Sequence, residues 1–172
     1  MSDEEFLQAV GEHLDLIYNL ARRLARSRSQ AEDLVQETYL RALRGWRRKP
    51  PDDVRAWLVT ICLNIARAGR RRDQARPAEV LDPDAGTGVV SGNDTAAEAM
   101  NEAVRHQVHR ALWQLPAPQR EAITLMDLCG FTAAEVATMI GAPRGTVLAR
   151  VHRGHKRLAA LLRQQGVTTG EA

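Results

Sequence analysis

Apolar residues recur every three to four positions through most of the chain, and this spacing constrains the fold more than any other feature. No stretch alternates apolar and polar residues as a half-buried strand would, and the helix-favouring residues Ala, Leu, Arg and Glu dominate the periodic segments. The spacing predicts an all-α fold. Its helices are expected at residues 3–26, 30–46, 52–72, 96–114, 117–129, 132–140 and 144–164.

One segment lacks this periodicity, and it separates the third and fourth predicted helices. Its sequence, DQARPAEVLDPDAGTGVVSGND, is rich in Pro, Gly, Asp and Ser, which is typical of a flexible linker. Lys and Arg outnumber Asp and Glu by 14 to 10 over residues 1–72 and by 9 to 5 over 99–172, but are outnumbered 6 to 1 over 73–98. We therefore predict two small helical domains, 1–72 and 99–165, a flexible acidic linker at 73–98 and a short polar tail at 166–172. Two basic blocks around an acidic strip indicate two contacts with a polyanion.

The sequence also argues against several classes of protein. Cys62 and Cys129 each lie in an apolar run without a CxxC pair and are interpreted as buried hydrophobic residues. The first residues lack a signal-peptide core, and the longest apolar stretch, AWLVTICLNIA, is too short to span a bilayer, so we expect a cytoplasmic protein without membrane insertion. No phosphate-binding glycine loop or catalytic constellation is present, so neither an enzyme nor a cofactor is expected. Two histidine pairs have a spacing of three but no third ligand, so no metal site is predicted: His106 and His109, His152 and His155.

The predicted helix 30–46 has two chemically different faces. One face is apolar and should meet the core: Ala31, Leu34, Val35, Thr38 and Ala42. The opposite face combines acids, an amide and leucines: Asp33, Gln36, Glu37, Leu40 and Leu43. This combination favours a docking surface for a basic partner helix; the alternative is a solvated face with incidental leucines.

The predicted helix 52–72 follows a loop, because Pro50 and Pro51 end the preceding helix and Asp52 and Asp53 favour a new N-terminus. Its apolar face is expected in the core: Val54, Leu58, Ile61, Cys62 and Ile65. The opposite face is polar and basic: Thr60, Asn64, Arg67 and Arg71. Such a stripe can hold phosphates and offer an amide to a base. The alternative is a solvated, Arg-rich face.

The segment from Leu115 to Leu162 fits a helix-turn-helix. Thr132 and Glu135 have the spacing of a capping box, and Gly141 allows the turn before the second helix. That helix has a core stripe, with Gly154 beside it to allow close packing: Val147, Val151, Leu158 and Leu162. Its outward face is mostly basic, with Arg150 and Arg157 at one edge: Thr146, Ala149, His152, Arg153 and Lys156. A major-groove reader needs such a face, although a merely solvated cationic helix is the alternative.

These segments resemble two regions of bacterial sigma factors of the extracytoplasmic-function (ECF) group, in the sigma-70 family. AEDLVQETYLRAL followed by RAWLVTICLNIARAGRRR resembles region 2, and LPAPQREAITLMDLCGFTAAEVATMIGAPRGTVLARVHRGHKRLAAL, from Leu115 through Leu161, resembles region 4. The resemblance implies an alternative sigma factor that binds core RNA polymerase, recognises minus-ten and minus-thirty-five promoter elements and initiates transcription of a specific regulon. The implied partners are the beta-prime clamp helices and beta flap of core polymerase, promoter DNA and an anti-sigma factor.

The resemblance also implies three sets of contact residues. One set would bind core polymerase: Asp33, Gln36, Glu37 and Leu40. A second would hold the unpaired minus-ten strand: Arg47, Arg48, Lys49, Asn64, Arg67, Arg70, Arg71 and Arg72. A third would read the minus-thirty-five element: Arg144, Thr146, Leu148, Ala149, Arg150, His152, Arg153, Lys156 and Arg157. Trp46 and Trp57 are candidate rings for stacking on unpaired bases, with Trp57 alternatively a core residue.

The chain departs from the family pattern at several positions. Cys62 and Ala68 replace an Arg and an acid that many members carry, so the minus-ten preference is not transferable. Leu148 and Ala149 replace a basic residue and Ser, and Met126 stands at another often basic position. Selectivity at Leu148 and Ala149 is expected to come from apolar contact, for instance with thymine methyls. The alternative function is a stand-alone helix-turn-helix regulator, but the sequence shows no dimerisation element for one.

Overall fold

The computed structural model describes residues 2–74 and 96–166, excluding the side chains of 96–100. Within these residues the chain is helical and contains no strand, so the predicted all-α class is confirmed. The described helices are α1 (Asp3–Gly11), α2 (Leu14–Leu24), α3 (Arg28–Trp46), α4 (Val54–Asp73), α5 (Ala96–Trp113), α6 (Ala117–Ile123), α7 (Ala133–Ile140) and α8 (Arg144–Gln164). Two compact units divide the chain, Met1–Gly88 and Val89–Ala172. Most of the predicted linker at 73–98, and the tail beyond Gly166, lie outside the described residues.

The first unit packs α2, α3 and α4 against one another, with α1 lying on α3 and α4. Side chains that cap the helix N-termini define where the helices begin. The Ser27 hydroxyl accepts a hydrogen bond from the Gln30 amide at 3.1 Å, and the Asp53 carboxylate accepts one from the Ala56 amide at 3.0 Å. Each cap satisfies an amide that the first helical turn leaves without a partner.

The prediction of one continuous helix over residues 3–26 is wrong, because Glu12 and His13 interrupt the helix between α1 and α2. The His13 amide donates to the Val10 carbonyl at 3.0 Å, and its φ and ψ of −106° and 4° leave the helical region. Gly11 weakens the helix just before this break. The apolar spacing nevertheless continues across it from Val10 to Ile17, both of which are buried. Periodicity alone therefore does not reveal the break.

The core of the first unit is centred on α4, which buries more of its surface than the sequence pattern predicts. Leu58 and Cys62 are fully buried as expected, and so are Val59 and Leu63, which lie outside the predicted core face. A helix packed on two neighbours, here α2 and α3, must bury a wider stripe than a helix with one partner. The Cys62 side chain is buried, which confirms its interpretation as a small core residue.

The second unit packs α5, α6 and α7 around α8. Its core includes Leu112, Leu115 and Ile123, with Leu158 and Leu161 packed against them. The predicted helix 117–129 is only partly α-helical, because residues Thr124–Leu128 form a π-helical turn. Its wider spacing shows in the hydrogen bond from the Cys129 amide to the Thr124 carbonyl, 3.1 Å long and five residues back.

A buried arginine fixes the corner between α5 and α6. The Arg120 guanidinium lies 3.9 Å from the centre of the Trp113 ring, and its Nη1 donates to the Leu115 carbonyl at 3.2 Å. The ring offers its negative face and the carbonyl its lone pair, so the buried charge is stabilised from two sides. Arg120 is thus placed to hold the fold rather than to contact DNA.

Candidate functional site

The predicted docking surface lies on the exposed side of α3. Ala31, Leu34, Thr38 and Ala42 are buried on the opposite side, which confirms the predicted core face apart from Val35, which is half-buried. Across the helix from these residues, Asp33, Gln36 and Leu40 are exposed, Glu37 is half-buried, and Leu40 keeps 49% of its surface in solvent. An acidic surface with a large exposed apolar side chain therefore faces outward.

An intrahelical ion pair modifies this docking surface. Arg41 Nε donates to Glu37 Oε1 at 2.6 Å, with both side chains partly exposed. Exposed pairs four residues apart stabilise a helix by only about 0.3–0.5 kcal/mol, so a basic partner can displace Arg41 at small cost. The predicted contact residues do not include Arg41, although its spacing of four residues from Glu37 is typical of an ion pair on a helix.

The basic loop after α3 is exposed, but its first cation, Arg47, already forms an ion pair within the protein. Arg47, Arg48 and Lys49 all lie at the surface. Arg47 Nη2 donates to both carboxylate oxygens of Asp3, at 3.0 and 3.1 Å. Because 44 residues separate the two partners, no local pattern in the sequence indicated this contact.

Neither tryptophan near this loop presents an open ring to solvent. Trp46 is only 9% exposed and packs edge-on against Phe6, with 5.8 Å between ring centres. Trp46 is therefore wrong as a candidate for stacking on bases. Trp57 is half-buried against α3, where a Cβ on Gly45 would lie 2.8 Å from Trp57 Cζ2. Its position fits the alternative of a core ring, and Gly45 is needed for this close approach.

The polar stripe of α4 is present, but its members differ in environment. Asn64, Arg71 and Arg72 are exposed, whereas Arg67 and Arg70 are half-buried and each interacts with another group of the protein. The half-buried Thr60 hydroxyl donates to the Ala56 carbonyl at 2.8 Å, so it serves the helix itself. The exposed part of the stripe can offer one amide and two guanidinium groups to a ligand.

The helix-turn-helix of the second unit has the predicted local geometry. The Thr132 hydroxyl accepts from the Glu135 amide at 3.2 Å, and the Glu135 carboxylate accepts from the Thr132 amide at 2.7 Å, completing the capping box. Gly141 has a φ of 67°, a left-handed conformation that favours glycine and turns the chain toward α8. Pro143 directly precedes α8 as its N-cap residue.

Helix α8, the second helix of the helix-turn-helix, is anchored on one side and open on the other. Val147 and Leu162 are buried, and Val151 and Leu158 are half-buried. Gly154 is buried, and a Cβ there would lie 2.5 Å from Ile123 Cδ1, so the expected close packing is confirmed. The remaining predicted contact residues occupy the other side. The exposed ones are Arg144, Leu148, His152, Arg153, Lys156 and Arg157, and the half-buried ones are Thr146, Ala149 and Arg150.

His155 connects α8 to the π-helical turn. Its Nε2 lies 2.6 Å from Asp127 Oδ2, a hydrogen bond that spans 28 residues of sequence. Asp127 could not be identified from the sequence, because only the fold brings it close to α8. Among the side chains that the structure describes, no three His, Cys, Asp or Glu residues group closely enough to hold a metal ion. The same part of the chain also contains no helix long and apolar enough to cross a membrane.

Comparison with known proteins identifies both units. Residues 9–76 match the family model Sigma-70 region 2, and residues 103–158 match Sigma-70, region 4. The ECF RNA polymerase sigma factor SigE of Mycolicibacterium smegmatis is 32% identical over 96% of this chain. EcfG of Rhodopseudomonas palustris, another ECF sigma factor, is 35% identical over 83% of this chain. The chain spans 64% of the length of SigE and 77% of the length of EcfG.

A solved structure agrees with these relatives. The sigma factor RpoE of Bartonella quintana, solved in complex with the anti-sigma factor NepR, matches with a TM-score of 0.74 and 27% identity. The match covers 93% of this chain and 98% of that one. The chain belongs to the ECF sigma factors of the sigma-70 family. The prediction of an alternative sigma factor, rather than a stand-alone helix-turn-helix regulator, is therefore confirmed.

Proposed function

We propose that this chain directs core RNA polymerase to promoters and initiates transcription there, with residues 1–72 acting as region 2 and residues 99–165 as region 4. The observation that carries the proposal is that each family match falls on a separate compact unit, with contact residues on exposed helix faces. A sigma factor performs no covalent chemistry itself. It acts in the cytoplasm, where polymerase and promoter DNA meet.

Core polymerase binds the docking surface of α3. A basic helix of the clamp would place its cations beside Asp33 and Glu37 and cover Leu40, which is half exposed in the free protein. Fully burying a leucine is worth about 1.5–3 kcal/mol, so covering its exposed half supplies about 1 kcal/mol. The acids contribute mainly to the choice of partner and to the rate of association.

The unpaired minus-ten strand follows the basic loop and the exposed stripe of α4. Arg48, Lys49, Arg71 and Arg72 offer cations to the backbone phosphates, and Asn64 offers an amide to a base. Arg47, although paired with Asp3, also contacts this strand. Because Trp46 is buried, stacking of bases on that ring has no part in the interaction. Contact with the strand is therefore mainly electrostatic and hydrogen-bonded.

The minus-thirty-five duplex receives α8 in its major groove. Arg144, Arg153, Lys156 and Arg157 hold phosphates at the groove edges, while His152 donates to a base or phosphate. Leu148, 39% exposed, lies at the same surface and meets thymine methyls. The beta flap of core polymerase would position this unit over the element.

An anti-sigma factor is the second protein partner. The Bartonella quintana relative was solved bound to one, NepR. We place such a partner on the docking surface of α3, because its acids and exposed Leu40 are equally suited to an inhibitor. Occupation of that surface would exclude core polymerase.

Reconstituted transcription tests the proposal. Purified chain and core polymerase from a related bacterium are incubated with a promoter library, and promoter-specific transcripts are expected. Glu37→Arg should lower core affinity by at least about tenfold, because like charges across an interface cost more than about 1.4 kcal/mol. Glu12→Arg makes the same charge change at an exposed position outside α3 and should bind normally. If Glu37→Arg binds core polymerase normally, the α3 surface is not the binding site. If the parent chain neither binds core polymerase nor yields promoter-specific transcripts, the proposed function is wrong.

A further inference from the structure

The contact between Asp3 and Arg47 joins the start of the chain to the basic loop. One terminal nitrogen of Arg47 donates to both oxygens of the Asp3 carboxylate, at 3.0 and 3.1 Å. Both side chains are more than half exposed, so solvent and ions reach the pair. A phosphate offers Arg47 the same chemistry as this carboxylate, namely negatively charged oxygens that accept from a guanidinium group.

The backbone at both ends of this pair is held by the fold. The Ser2 hydroxyl accepts from the Glu5 amide at 3.2 Å, and the Glu5 carboxylate accepts from the Ser2 amide at 3.0 Å, which fixes the first turn of α1. Phe6 is buried against Trp46, the residue directly before Arg47. Asp3 is thus carried to the loop by a packed helix, not by a loose terminus.

We propose that Asp3 is a negative determinant of single-strand binding, which balances the charge of Arg47 until a nucleic-acid phosphate displaces it. The inference rests on the proposed function, since it takes Arg47 as a contact of the unpaired strand. A phosphate that approaches Arg47 must either break the ion pair or bind a guanidinium whose charge is already balanced. Either route weakens binding of the nucleic acid to Arg47. The Asp3–Arg47 pair therefore disfavours binding to single strands other than the one that polymerase presents.

The expected effect is modest because the pair is exposed. Exposed ion pairs correspond to a change of about 1.4- to 5-fold in an equilibrium constant. Asp3→Asn should therefore tighten binding of single-stranded DNA by about 1.4- to 5-fold. Releasing one full cation for phosphate contact should also steepen the dependence of log affinity on log salt by up to about 0.7.

The test measures binding of a fluorescent single-stranded oligodeoxythymidine to the full chain, at several salt concentrations. Glu4→Gln is the matched control, because Glu4 is exposed in the same first turn and loses the same charge. Both variants lose a similar interaction with the helix dipole, so their melting temperatures should be similar. Asp3→Asn is also measured in an Arg47→Ala background.

Three results decide between the explanations. Tighter binding by Asp3→Asn than by Glu4→Gln, lost in the Arg47→Ala background, supports the inference. Equal binding by Asp3→Asn and Glu4→Gln, with Arg47→Ala weakened, overturns it and leaves Arg47 as a strand contact. Unchanged binding when Arg47→Ala is added to Asp3→Asn shows instead that Arg47 is no strand contact, which removes that residue from the proposed function and the inference with it.

Discussion

The position of α8 depends on the absence of a side chain at Gly154. A Cβ added there would lie 2.5 Å from Ile123 Cδ1, 3.3 Å from Ile123 Cγ1 and 3.4 Å from Gln119 Cβ. Overpacking a core costs about 1–3 kcal/mol, whereas replacing glycine by alanine within a helix gains about 1 kcal/mol. Gly154→Ala should therefore lower the free energy of unfolding of the second unit by about 1 kcal/mol.

A second substitution isolates the close contact. Ile123→Val deletes Cδ1, the atom nearest to the new methyl group, and should by itself cost about 1 kcal/mol. In the double variant the alanine methyl enters the vacated space, so most of the overpacking cost disappears while the helix gain stays. The double variant should lie within about 0.5 kcal/mol of the parent, a favourable coupling of about 2 kcal/mol.

Native-state hydrogen exchange of the α6 and α8 amides in urea measures these free energies for the second unit separately. Gly145→Ala is the control, because Gly145 lies on the same helix and a Cβ added there would have no atom within 4 Å. That variant should be neutral or more stable than the parent. Stabilisation of the unit by Gly154→Ala, as by Gly145→Ala, would refute the close contact, and so would simple additivity of the two core substitutions.

Two further predictions concern Tyr39 and the apolar pair on α8. Burial, with a smaller contribution from Cys62, raises the pKa of Tyr39 from 10.0 to about 12, and its hydroxyl finds no hydrogen-bond partner among the described residues. The folded state therefore holds this proton more tightly, and its contribution to stability is constant below pH 10 and is lost as pH rises toward 12. Tyr39→Phe should remove that loss and gain about 1 kcal/mol at pH 7, measured by urea unfolding across pH; the same alkaline slope as the parent would contradict this. Leu148→Lys with Ala149→Ser should change promoter choice or tighten binding in promoter-library transcription; a profile identical to the parent's would show that both positions are silent.

Local signals in the sequence were reliable where neighbouring residues alone determine the structure. The capping box of Thr132 and Glu135 and the glycine turn at Gly141 involve side chains and amides within a few residues of each other. The core face of α3 follows from the helical spacing of its apolar residues. Such features can be predicted because the physics that determines them is contained within one or two helical turns.

Contacts between distant segments could not be predicted in this way. Asp3 and Asp127 reach Arg47 and His155 over 44 and 28 residues, and neither pairing has a sequence pattern. Trp46 illustrates the same limit, because the last residue of α3 could face a ligand or the core, and only the packing of α1 decides it. Charge on a helix face shows where a polyanion could bind, but not which cations the protein itself already engages.

This distinction bears on how promoter selectivity arises. Within the described residues, each unit has four exposed cations of the predicted sites that form no ion pair. In the first unit they are Arg48, Lys49, Arg71 and Arg72, and in the second Arg144, Arg153, Lys156 and Arg157. Phosphate contacts bind by releasing counterions, so four cations support only modest, salt-sensitive affinity. Neither unit should therefore hold a promoter tightly by itself. Binding of α3 to core polymerase would make the two weak contacts part of one complex, in which the second contact forms at a high effective concentration. Selectivity then requires both promoter elements, and stray single strands or isolated duplex sites bind poorly.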